Sequence, residues 1–110
     1  MSPDEHNTEI ATHLTPLLNA LKSDPTRADY YRNLLKPLQQ YDQDQRGDLL
    51  KTLAAYLQHG GNATRTADAL YLHRNSMRYR LARIHALAGL DPDDPDDRLA
   101  LQIALLLSGK

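Results

Sequence analysis

The stretch from Gly60 to Ile84, GGNATRTADALYLHRNSMRYRLARI, constrains this chain more than any other. Two glycines open it, and glycine readily takes the left-handed conformation in which helices end. Asn62 or Thr64 then stands where a helix N-cap belongs, with Ala67 and Leu70 as the expected buried pair of a short helix. Tyr71-Leu72-His73 is the turn. From Asn75 or a neighbour a second helix repeats Met77, Leu81, Ile84 and Ala88 on one face until Gly89 stops it.

Charge sets the same stretch apart. Arg65, Arg74, Arg78, Arg80 and Arg83 face the single acid Asp68, a local net of +4 (5 − 1). The whole chain is net −1, so the remainder sums to −5. A basic patch on an otherwise acidic chain is the footprint of polyanion binding. On a helical wheel Met77, Leu81 and Ile84 lie within about 60° of one another. Asn75, Ser76, Tyr79 and Arg83 fall opposite, with Arg78 on the flank. A DNA major groove admits one helix and offers guanine acceptors that an arginine fork matches. The start of such a helix makes the base contacts, which singles out His73, Arg74, Asn75 and Arg78. Asn62, Thr64 and Arg65 begin the preceding helix, where free N–H groups favour a phosphate. Ser76, Tyr79, Arg80 and Arg83 are further candidates for backbone contacts.

The rest of the chain reads as helices in one small all-α domain, a bundle of about six. Leucine is abundant while Phe, Trp and Cys are absent, which argues against a sheet. Thr8 is the expected cap of a first helix carrying Ile10, Leu14, Leu17, Leu18 and Leu21. Pro16 either kinks it or restarts it with Thr15 as cap. Ser23-Asp24-Pro25 opens a second helix with Tyr31, Leu34, Leu38 and Tyr41, which Pro37 should bend or interrupt. Asp42 to Gly47 reads as a polar connection, and Asp48 as the cap of a third helix with Leu49, Leu50, Leu53, Tyr56 and Leu57. Asp94, Pro95, Asp96 and Asp97 form a strong start for a sixth helix, Pro95 to about Leu107. Its Leu99, Ile103 and Leu106 are expected to face the core, leaving Leu101, Leu105 and Leu107 for a second surface. Residues 1–42 then form an N-terminal helical segment and residues 43–110 the domain that holds the basic helix pair.

Several functions fit poorly. Without cysteine there is no disulfide framework and no thiolate metal site. His59, His73 and His85 give no pair on one helix face, so no metal site is expected. The Asp91 to Asp97 cluster lacks the glycine and the closing glutamate of a calcium loop. No nucleophile with a base, phosphate-cradling loop or paired-carboxylate motif stands out, so neither catalysis nor a cofactor is expected. The N-terminus is no secretory signal, and Leu99 to Leu107 is too short to span a bilayer. A soluble, cytoplasmic protein without membrane contact is the expectation. The rival reading is a helical interaction domain whose basic helix meets an acidic protein.

The segment GNATRTADALYLHRNSMRYRLARI resembles the helix-turn-helix of the Fis type, in which Gly-Asn opens the first helix and Arg-x-Ser/Thr-Leu-Arg the second. The longer run from LLKPLQQYD through LLKTLAAYLQHGGN, LHRNSMRYRLARI and DPDDPDDRLALQIALLL resembles the C-terminal domain of PucR/CdaR-type bacterial transcriptional regulators. The resemblance implies a sequence-specific double-stranded DNA-binding domain that works as a dimer or higher oligomer, and the first and sixth helices together carry more leucine than one small core needs, which points to a homodimer. It also implies an effector-sensing region outside this chain. By similarity, Asn62, Thr64, Arg74, Ser76 and Tyr79 match DNA-contacting places, and His73 in the turn can fix the angle between the two helices. Ser76 and Met77 replace the more usual Thr and Leu, and Tyr79 stands where a Fis-type protein has a cation. Residues 1 to about 33 match no sensory domain of the family.

Overall fold

A computed structural model describes the backbone of residues 3–109 and the side chains of residues 13–109. Its helices are α1 (Pro3–Lys22), α2 (Pro25–Gln45), α3 (Leu49–Gln58), α4 (Ala63–Ala69), α5 (Arg74–Ala88) and α6 (Pro95–Leu107). The described residues include no strand, as the leucine-rich, β-poor composition requires. No described helix is long and apolar enough to cross a membrane.

The main core gathers Leu35 and Leu38 of α2, Leu49 and Leu53 of α3, Ile84 of α5, and Leu101, Ala104 and Leu105 of α6. Each fully buried leucine or isoleucine contributes about 2 kcal/mol by area. This core crosses the 42/43 position, which lies inside α2. A smaller cluster of Tyr56, Ala67 and Met77, with Leu72 and Leu81 against it, ties α3, α4 and α5 together. A third, Leu18, Leu21 and Leu107, seats α1 on α6.

α6 is turned relative to the expected wheel. Leu101, Ala104 and Leu105 face the core, Ile103, Leu106 and Leu107 lie under α1, and Leu99 is exposed. A broad apolar wrap fixes how much of a helix is buried; which sector meets which neighbour depends on the tertiary partners.

Neither proline breaks its helix. α1 starts at Pro3, so Thr8 lies inside it, and it runs through Pro16 without restarting at Thr15. The side chains of Thr8 and Ile10 fall outside the described residues. α2 runs through Pro37, whose missing N–H frees the carbonyl of exposed Asn33 for water.

The expected connection from Asp42 is largely helix, and only Arg46-Gly47-Asp48 links α2 to α3. Gln40 donates to the Asp44 carboxylate one turn on, supporting this last turn. Asp42 reaches forward instead, accepting Leu49 N–H at 2.8 Å and Leu50 N–H at 3.1 Å. It caps α3 in place of Asp48, whose side chain caps nothing. The acidic run before α6 is likewise a capping network. Asp94 accepts Asp97 N–H, Asp97 accepts Asp91 N–H and Asp91 accepts Asp93 N–H, each at 2.9 Å.

Asp42→Ala should therefore cost about 1–2 kcal/mol, the range for a lost cap, whereas Asp48→Ala should stay within about 0.5 kcal/mol. Thermal melts of the two variants check this, and equal destabilisation would contradict the assignment of the cap.

Candidate nucleic-acid interface

The helix pair is fixed by its ends. At the close of α3, Gly60 N–H donates to Leu57 O and Gly61 N–H to Tyr56 O, with φ of 64° and 79°. This is the paired bonding of a Schellman motif, which turns the chain sharply into α4. Asn62, not Thr64, caps α4 by accepting Arg65 N–H at 2.9 Å, while Thr64 is exposed. Thr66, buried beside Ala67, takes the inner place expected of Leu70, which is only half-buried.

The same motif ends α4. Tyr71 N–H donates to Asp68 O and Leu72 N–H to Ala67 O at 2.8 Å. Leu72 then packs beside Ala67 in the small cluster, the apolar contact that accompanies such a cap. Here the left-handed residue is Tyr71, with φ 56° and a side chain 96% exposed. Aromatic residues are poorly suited to that conformation. His73 caps α5, its Nδ1 accepting Asn75 N–H at 3.1 Å, so it does fix the start of the second helix. α5 begins at Arg74 and ends at Gly89 in the left-handed conformation.

Burial of Met77 and Ile84 turns the opposite side of α5 outward. Arg74, Asn75, Ser76, Arg78 and Tyr79 are exposed there, as are Asn62, Thr64 and Arg65 at the start of α4. Two walls flank α5. On one side Gly61 and Ala63 border Ala82 and His85 across a cleft. On the other, the α2–α3 turn borders Asn75, Ser76 and Tyr79.

Arg80 and Arg83 are held by the protein itself. Half-buried Arg80 donates to Thr52 Oγ1 at 3.0 Å, and that hydroxyl donates to Asp48 O at 2.7 Å. The Arg83 guanidinium lies 5.7 Å from the Tyr41 ring centre and 5.3 Å from that of Tyr79, and donates to the Tyr79 hydroxyl at 2.9 Å. Both are cation–π contacts; the one with Tyr41 binds α5 to α2, and the one with Tyr79 lies within α5. Among the described residues the ion pairs are Arg27–Asp24 and Arg32–Asp29, both at the start of α2. Among the described residues no carboxylate forms an ion pair with an arginine of α4 or α5. The described residues also contain no cluster of side chains suited to a metal ion.

Two participants escape a sequence reading. Tyr41 looks like one more apolar position of α2, although the Tyr79/Arg83 spacing of one helical turn hints at a cation–π pair. Tyr71 could be found from the Schellman spacing, which demands a left-handed residue in a turn without glycine. The Arg83 hydrogen bond, and secondarily Tyr41, lowers the Tyr79 phenol, while hydrogen bonding to Tyr79, then burial, raises that of Tyr41. Tyr79's depression favours the folded state only where phenols ionise, near pH ~10, and Tyr41's elevation opposes folding there; at neutral pH both are uncharged.

Two outcomes follow from this geometry. Arg83→Gln should raise the Tyr79 titration midpoint, read from its ring resonances by NMR; an unmoved midpoint would contradict the Arg83–Tyr79 bond. Tyr71→Gly should stabilise the fold by about 0.5–1 kcal/mol, since it relieves the left-handed residue and removes no packing. A lower Tm in that variant would show that Tyr71 packs in solution.

The arrangement has counterparts. Residues 49–107, more than half of the chain, match the model of the PucR C-terminal helix-turn-helix domain. The carbohydrate diacid regulator of Escherichia coli is 44% identical over 86 residues, covering 76% of this chain and 22% of its own length. The DNA-binding transcriptional activator AdeR of Bacillus subtilis is 27% identical over 90 residues, 82% of this chain and 21% of that protein. A crystal structure of a regulator of polyketide synthase expression from Bifidobacterium adolescentis superposes with a TM-score of 0.71 at 31% identity. That match covers 82% of this chain and 37% of the other. The chain thus spans a minor part of these relatives. A helix-turn-helix with Asn62 and His73 as caps, placed by α2 and α6 and matched over residues 49–107, identifies the chain as a member of the PucR C-terminal helix-turn-helix domain family, a family of transcriptional regulators and not of enzymes.

Proposed function

We propose that this chain is the sequence-specific DNA-binding domain of a bacterial transcriptional regulator of the PucR/CdaR type, acting in the cytoplasm. One observation carries this: the outward side of α5 and the start of α4 present arginines that form no ion pair among the described residues. Exposed guanidinium groups beside Asn and Ser, on a helix narrow enough for a major groove, suit base edges and phosphates together. Arg74, Asn75 and Arg78 are the proposed base readers, with His73 beside them. Asn62, Thr64, Arg65 and Ser76 are the proposed phosphate contacts, and Tyr79 completes the surface. Arg80 and Arg83 contribute positive potential from their internal positions, and their tips are the proposed further phosphate contacts. The names of the relatives, regulators and a DNA-binding activator, support the reading.

One helix reads only a few base pairs, so selectivity implies two copies on a two-fold operator, their reading helices roughly 34 Å apart. Much of the apolar surface of α1 and α6 does not serve this, since Leu14, Leu18, Leu21, Ile103, Leu106 and Leu107 pack together. Leu17 and Tyr30 remain exposed beside a groove between α1 and α2 and are the proposed self-association surface. Effector sensing belongs, on this reading, to sequence outside this chain.

Selection of bound duplexes from a random pool tests the proposal. The wild type should enrich a two-fold-symmetric motif, and the Arg74→Ala, Arg78→Ala double variant should lose it, each base contact being worth about 1–3 kcal/mol. Folded wild-type protein that retains no duplex at low salt would transfer the basic helix to an acidic protein partner.

A further inference from the structure

We propose that the cleft between the α2–α3 turn and α5 is a second phosphate-binding position, with Arg46 as its cation, holding the DNA strand opposite the one met at the start of α4. The inference builds on the DNA reading and adds a wall of the site that lies outside the helix-turn-helix itself.

The cleft is open, about 480 Å³, and Arg46, Asp48, Asn75, Ser76, Tyr79 and Arg80 contribute to its lining. Its α5 residues lie on the flank of the reading surface away from Ala82 and His85, where Gly61 and Ala63 form the other wall. A helix lying in a major groove has a phosphate strand on either side. The start of α4 faces one such strand, and this cleft faces the other. Ser76 supplies an exposed hydroxyl, and Arg80 supplies a fixed positive charge whose hydrogen-bond partner, Thr52, is neutral.

Arg46 itself carries the argument. It is exposed, forms no ion pair with a described residue, and adopts φ 50°, ψ 43° at the end of α2. Glycine is the ordinary residue for that left-handed position, so an arginine there is held at a conformational disadvantage without a side-chain hydrogen bond or ion pair to a described residue in return. Unfavourable backbone conformations of this sort gather at functional sites. Gly47 fixes where the arginine stands, because a Cβ at 47 would come within 2.9 Å of the Tyr41 ring. The turn is thereby held against the aromatic residue that also contacts Arg83 on α5. Asp48 is the opposing feature: it is exposed, lines the same cleft and caps nothing, so its negative charge should repel a phosphate bound there.

The backbone conformation separates binding from folding in the test. Fluorescence anisotropy with a labelled random-sequence duplex, across a series of salt concentrations, would compare wild type with Arg46→Gly, Asp48→Asn and Arg74→Ala/Arg78→Ala. Arg46→Gly should bind about three- to tenfold more weakly, with a log–log salt slope shallower by about 0.9, the value for one phosphate. Its Tm should equal or exceed that of wild type, which excludes unfolding as the cause. Its selected base motif should be unchanged, because phosphate contacts carry no sequence information. Asp48→Asn should bind about two- to threefold more tightly, as removal of a like charge requires. Wild-type affinity and salt slope in Arg46→Gly, with binding weakened in the Arg74/Arg78 variant, would overturn the cleft while leaving the DNA reading in place. Absence of any wild-type binding at low salt would overturn both.

Discussion

The burial of one edge of α5 governs everything its surface can do. Met77 and Ile84 are almost wholly inaccessible, and they enter different clusters. Ile84 joins the leucines of α2, α3 and α6, whereas Met77 joins Tyr56 and Ala67 beneath α4. Two anchors along one helix fix its rotation as well as its position. A slip by one residue would turn each side chain about 100° and bring Arg78 and His85, or Ser76 and Arg83, into the places of Met77 and Ile84. The outward direction of Asn75, Arg78 and Tyr79 is thus set by apolar packing on the other side.

Electrostatics then divides the arginines into two groups. Arg65, Arg74 and Arg78 are exposed, and among the described residues none of them forms an ion pair. Arg80 and Arg83 meet neutral partners, a threonine hydroxyl and two tyrosines, so their charge is retained while their geometry is restrained. Several acids elsewhere in the chain are occupied locally: Asp42 caps α3, and Asp91, Asp94 and Asp97 accept backbone N–H groups. Aspartates spent as caps satisfy backbone donors without neutralising the basic surface. A chain of net charge −1 can in this way keep a cationic face.

What was legible in the sequence is what short-range chemistry determines. The Gly60-Gly61 stop, the Asn62 cap, the turn at Tyr71 to His73 and the Asp94-Pro95 start each depend on a few neighbouring residues. The wheel of α5 was readable because its apolar edge is narrow and its partners lie on one side. Long-range partners were not readable. Asp42 caps a helix that begins beyond the next turn, Arg83 finds Tyr41 on another helix, and α6 is rotated by competition between α1 and the main core. The prolines misled for a related reason: a helix tolerates proline where the freed carbonyl faces water, and the exposure of Asn33 emerges only in the fold.

The insertion of α5 into a DNA major groove is the step on which the proposed function depends. Dimethyl sulfate footprinting on a duplex selected by the protein tests it directly, because guanine N7 opens to the major groove and adenine N3 to the minor. Protection of guanine N7 in two patches about one helical turn apart is the predicted result. Protection confined to adenine N3, or none on a duplex that is demonstrably bound, would place the helix outside the major groove and contradict the account.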